Sequence, residues 1–204
     1  MISKIATSKA QPFPIVLRYT DIRSYVITVI FVLLSVLVPW LFHQFHLAGP
    51  AFLPMHFFVF IAALVFGWRA GLIVGFITPL ASYAVSGMPA LYILPQITAE
   101  LSAYGLIAGV LREKFGLRII WSLLGAMVGG RIVLYLAILT IYLIAGESYS
   151  LLGFESSPFL VLWSVVKQGW PGIAIQAVSI PVVIGLAKKF AINRGNIYTR
   201  PSYQ

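Results

Sequence analysis

The basic residues of this chain are confined to alternate gaps between apolar tracts. Of the fourteen Lys and Arg residues, all but Arg131 and Lys167 fall in four groups: Lys4, Lys9, Arg18 and Arg23; Arg69; Arg112, Lys114 and Arg118; and Lys188, Lys189, Arg194 and Arg200. The intervening gaps, 43–56, 87–94 and 146–159, hold His43, His46, Glu147 and Glu155 but no Lys or Arg. Cytoplasmic loops of membrane proteins concentrate Lys and Arg, so the alternation predicts a chain that crosses a bilayer six times with both termini cytoplasmic.

Composition requires the same solvent. At 60% apolar and 9% charged residues the chain has too little polar surface to coat a soluble globule. Its net charge of +9 is then a matter of topology and attraction to anionic lipid, and no nucleic-acid partner is expected. Cysteine is absent, which removes disulfides, thiolate metal sites and thiol nucleophiles. The first apolar run lacks a small-x-small cleavage site, so it is expected to remain as a span.

A hydrocarbon core of about 30 Å needs about 20 helical residues. The expected spans are 24–42, 54–66, 70–86, 95–111, 119–145 and the tract 159–190, within which Pro171-Gly172 is expected to begin the last crossing. The second and third are short and the third contains Pro79, features tolerated where neighbouring helices or a cavity satisfy the freed backbone groups. The resulting architecture is an all-α integral membrane protein, with a cytoplasmic segment 1–23, a six-helix membrane domain 24–190 and a cytoplasmic tail 191–204. No internal repeat is evident. Small residues four apart at Gly71/Gly75, Ala99/Ala103, Gly105/Gly109 and Gly125/Gly129 suit close helix packing, within this bundle or against another subunit.

Charges within spans call for a partner or a role. Glu100 and Arg131 lie roughly 16 and 19 Å from the basic side at 1.5 Å per residue, level enough to meet. Two readings stand: a structural ion pair between two helices, or the floor of a pocket open to the outside. Lys167 is farther out, either a third cation near the rim or a snorkelling interfacial lysine. Gln96 and Tyr104 lie one turn either side of Glu100, Tyr135 one turn from Arg131 and Trp163 one turn from Lys167, the residue types that a small heterocyclic or carboxylated ligand would need. Trp163 and Trp170 fit an interfacial belt equally well.

His43, His46 and His56 share the outward side, but no carboxylate joins them in that loop, so no metal is expected; His56 is assigned to ligand contact or helix capping. The chain offers no HExxH, no paired Asp in adjacent spans and no phosphate-binding loop, so neither catalysis nor a cofactor is expected.

The runs Pro54-Met55-His56, Gly67-Trp68-Arg69-Ala70-Gly71, Gly75-Phe76-Ile77-Thr78-Pro79-Leu80, Ser86-Gly87-Met88-Pro89, Glu100-Leu101-Ser102-Ala103-Tyr104-Gly105 and Pro171-Gly172-Ile173, with Gln176 and Ile180-Pro181, occur in an order that resembles the S-components of energy-coupling factor (ECF) vitamin transporters over roughly residues 54–190. The resemblance implies a plasma-membrane protein that captures a vitamin or related micronutrient at the outer face. It further implies partners, one transmembrane coupling subunit and two cytoplasmic ATPases, that supply ATP hydrolysis while the S-component topples to release its cargo. The Ala-x-x-x-Ala motif often found in the first span of that family is absent, Ser24/Thr28 being the nearest equivalent. A non-transporting membrane scaffold of similar six-helix layout is the alternative.

Overall fold

A computed structural model describes residues 22–45, 52–146, 148–150, 153–155 and 157–198. Six helices follow one another among them: α1 (Ile22–Gln44), α2 (Pro54–Phe66), α3 (Trp68–Ser86), α4 (Leu94–Glu113), α5 (Ile119–Ala145) and α6 (Pro158–Tyr198). Between α5 and α6, Ser148–Ser150 and Gly153–Glu155 pair as a small antiparallel ribbon.

Among the described residues, five helices are long and apolar enough to cross a membrane, and α2 is a shorter apolar helix of 13 residues. The protein is thus a multi-pass membrane protein. Its outer surface carries the apolar side chains expected of lipid contact, among them Val26, Val29, Leu33 and Leu37 on α1 and Val128, Ile132 and Leu136 on α5. Some polar residues on the same helices turn inward, among them Thr28, Ser35 and Ser122. Ser35 of α1 is fully buried and shares a 2.6 Å hydrogen bond with Thr78 of α3.

The middle of the bundle is held by α2, whose Val59, Phe60, Ala62, Ala63 and Leu64 are all buried, and which packs on α1, α3, α4 and α6. The largest helix interface joins α3 to α4, and glycines explain it. A Cβ on Gly71 would meet the Gly105 carbonyl, one on Gly75 the Leu101 carbonyl, one on Gly105 the Gly71 backbone and one on Gly109 the Trp68 backbone. Residue numbers rise along one helix as they fall along the other, so the seam is antiparallel. The glycine spacing seen in the sequence therefore packs the protein's own bundle at these positions.

On its other side α4 meets α5 through side chains. Leu111 covers Gly125, Ile107 covers Gly129, and the Tyr104 ring covers Gly130. Basic residues gather where α2 passes into α3 and α4 into α5. There the Arg69 guanidinium and the Lys114 ammonium lie 5.2 and 5.6 Å from the Trp68 ring centroid. Glu113 accepts the Trp68 N–H at 3.2 Å, satisfying a donor that Gly67 has no side chain to cap. Arg112 donates to the Leu117 carbonyl at 2.7 Å.

The last tract corrects the sequence expectation. Residues 158–198 form one helix that runs through both Pro171 and Pro181, with no break at Pro171-Gly172. A proline removes a single backbone hydrogen bond, and packing against neighbouring helices carries the turn across it. The same helix extends to Tyr198, into the segment expected as the tail 191–204. The expected N-terminal segment lies outside the described residues up to position 21.

Candidate functional site

α2 is short, and its first turn packs His56 into the bundle. Thirteen residues rise only about 20 Å, less than a bilayer core. The helix opens with Pro54, whose missing N–H is no loss in a first turn. Leu53 before it adopts a left-handed conformation, φ 52°. A leucine is strained there by about 1–2 kcal/mol, and Gln176 of α6 holds it, its Nε2 donating to the carbonyls of Leu53 at 2.9 Å and Phe52 at 3.3 Å.

That first turn carries His56 against Glu100 and Tyr104 of α4. The His56 and Tyr104 ring centroids are 5.3 Å apart, and Phe60, one turn along from His56, lies 5.0 Å from Tyr104. The Tyr104 hydroxyl donates to Glu100 Oε1 at 2.8 Å. Arg131 reaches the same oxygen from α5, with Nη1 at 2.8 Å. Glu100 Oε2 faces His56 Nε2 at 4.0 Å, beyond hydrogen-bonding reach. Behind the guanidinium, α6 passes at Gly169, where a Cβ would stand 3.4 Å from Arg131 Nη2 and 3.1 Å from Leu53.

Glu100 is 3% exposed and His56 8%. Only strong compensation keeps charges at such a depth, and the ion pair supplies part of it. The compensation is incomplete. Nη1 of Arg131 is close to its carboxylate, but the guanidinium N–H bonds are not aimed along that approach. Nε, Nη1 and Nη2 have no directed hydrogen bond within the described protein, nor do Nδ1 and Nε2 of His56. The cluster thus presents more donors than the protein satisfies, in a surrounding that is otherwise apolar.

The sequence-derived residues divide into two sets. His56, Glu100, Tyr104 and Arg131 converge, and Gln96 is buried one turn from Glu100 toward the start of α4. Tyr135 is half-buried one turn beyond Arg131. Lys167 and Trp163 stand apart: both are exposed, with Trp170, on the flank of α6 away from the inward stripe Val161, Gly169, Gly172, Gln176 and Ile180. His46 lies outside the described residues. Phe60, Gly130, Gly169 and Gln176 complete the arrangement without having been assigned to a site. Phe60 was traceable by its four-residue spacing from His56; the glycines become legible only when their neighbours are known.

A family model described as ECF transporter, substrate-specific component, matches residues 23–184. Comparison with curated proteins and with solved structures gives no match.

Proposed function

The chain belongs to the family of ECF transporter substrate-specific components, and on that premise we propose that it captures a vitamin or related micronutrient in the cluster around Glu100 and Arg131. Members of this family are substrate-binding transporter subunits, not enzymes. The proposed orientation puts both termini and the Trp68/Lys114 end in the cytoplasm, following the basic residues there. Glu100, Tyr104, Arg131 and His56 then lie toward the outer side, with Gln96 and Tyr135 one turn beyond.

The observation that carries this reading is the concentration of unsatisfied nitrogens of Arg131 and His56 inside an apolar bundle. A purely structural pair would be expected to direct its hydrogen bonds at its own partners, because each buried group left unpaired costs about 1–3 kcal/mol. A ligand with acceptor atoms supplies what the protein does not. Lys167 and Trp163, on the exposed flank of α6, belong to the rim at most. ATP-driven uptake is assigned to the partners of the ECF complex, a transmembrane coupling subunit and two ATPases.

The test is to purify the protein in detergent and identify co-purified small molecules by mass spectrometry, before and after incubation with a mixture of water-soluble vitamins. One retained compound, lost in Arg131→Ala protein that still elutes as a folded species, is the expected result. A folded wild-type protein that retains none of them after incubation would overturn the reading and leave the scaffold alternative.

A further inference from the structure

We propose that the group read by Glu100, Arg131 and His56 is electrically neutral: the N–H/C=O edge of a heterocycle, such as a cyclic amide, imide or ureide, and not a carboxylate. The inference rests on the capture reading above and narrows its ligand chemistry.

Charge balance is the first argument. Arg131 already has a carboxylate 2.8 Å from Nη1, so the pair adds no net charge to the bundle. With His56 neutral, an anionic ligand group brought to the guanidinium would share it with Glu100 and leave a net negative charge in a low-dielectric surrounding, which is strongly disfavoured. The remaining cation singled out near this region, Lys167, is exposed on the other flank of α6 and does not offset that charge. A neutral group leaves the balance untouched.

Hydrogen-bond polarity is the second. Oε1 of Glu100 is occupied by Tyr104 and approached by Arg131, while Oε2 faces His56 without reaching it. Nε, Nη1 and Nη2 of Arg131 lack directed protein acceptors, and so does whichever His56 nitrogen carries the proton; the other His56 nitrogen lacks a donor. The site therefore offers surplus donors beside an available acceptor. A carboxylate answers only the donors; an amide-type edge answers both, its carbonyl taking N–H from Arg131 and its N–H directed to Glu100 Oε2 or the unprotonated nitrogen of His56. Tyr104 is not assigned as a stacking platform, because it is 2% exposed and packed by Phe60, His56 and Gly130. Recognition at this depth is by edge.

Glu100→Gln separates the alternatives by the sign of its effect. Removing the carboxylate charge weakens binding of a neutral N–H/C=O edge, which loses a charged acceptor, but strengthens binding of an anion, which loses a repelling neighbour. The probes are uracil, a neutral cyclic imide; orotate, the same ring bearing a carboxylate; and benzoate, a carboxylate alone. Each is titrated by saturation-transfer NMR against detergent-solubilised wild-type and variant protein. The expected result is that uracil binds the wild type more tightly than orotate or benzoate, and about tenfold more weakly after Glu100→Gln. Since that substitution leaves Arg131 unpaired and can impair folding, Glu100→Gln/Arg131→Gln is measured alongside. It keeps a donor and an acceptor without either charge, so it should retain uracil to within about tenfold. Preference for benzoate or orotate, tighter binding of either after Glu100→Gln, or no binding of uracil to the wild type would each overturn the proposal. The capture reading is judged separately, by the molecule that co-purifies: a retained carboxylic acid whose affinity rises in Glu100→Gln sinks the neutral-edge proposal and leaves capture intact.

Discussion

Tyr104 lays its ring across the place where Gly130 has no side chain, and this contact sets the position from which its hydroxyl donates to Glu100. A β-carbon at residue 130 would collide with Cδ1 and Cε1 of that ring. The closeness of α4 to α5 at the site and the position of the carboxylate are therefore one geometric fact.

Gly130→Ala should accordingly act on stability and site together. Overpacking of this kind costs about 1–3 kcal/mol, and the displaced ring should carry its hydroxyl away from Glu100. Thermal unfolding in detergent and retention of the co-purified ligand should both fall. An unchanged melting temperature would show that the ring has room to move.

Arg131→Ala should destabilise the protein by about 3–5 kcal/mol, because it strands a buried carboxylate. Glu100→Ala/Arg131→Ala should recover much of that loss, since no unpaired charge is left. Ligand retention should not recover with it. A double variant that melts like the wild type and still holds its ligand would remove both residues from the binding site.

At the α3–α4 seam the obstacle is backbone, not side chain. Gly105→Leu should separate the two helices, with loss of at least about 1–3 kcal/mol and poor recovery of monodisperse protein on size-exclusion chromatography. Gly125→Ala, whose β-carbon meets only the Leu111 side chain, should be tolerated far better.

The orientation is open to direct labelling, because the chain contains no cysteine. In cells, Ser150→Cys should react with an impermeant thiol reagent applied outside, and Phe115→Cys should not. The reverse pattern would invert the assignment of the basic end to the cytoplasm.

The convergence of Glu100, Arg131 and Tyr104 was legible in the sequence because intramembrane charges are rare and helical rise converts residue number into depth. That arithmetic brought Glu100 level with Arg131, and Tyr104 followed by one turn of helix. The same arithmetic carries no information about azimuth: Lys167 and Trp163 were placed by depth, yet they face away from the inward stripe of α6. Pro171 misled for a related reason. Its local chemistry favours a helix start, but Gly169 against Arg131 and Gln176 against the Leu53 carbonyl hold α6 on both sides of it, and those contacts come from residues over thirty positions away in the chain. The left-handed Leu53 had no sequence signal, since leucine is among the residues least suited to that conformation.

The contrast between the two faces of α4 also bears on how such a protein can change over generations. Where α4 meets α3, main chain rests on main chain, and nearly any enlargement at Gly71, Gly75, Gly105 or Gly109 is blocked. Where it meets α5, the fit is made by side chains such as Leu111, Ile107 and Tyr104, which can be exchanged in compensating pairs. For the proposed site around Glu100 and Arg131, new ligand preferences would have a mutational route through α5 and α6, while the α3 side stays fixed beneath them. On that proposal the walls around the cargo can be revised without reopening the frame.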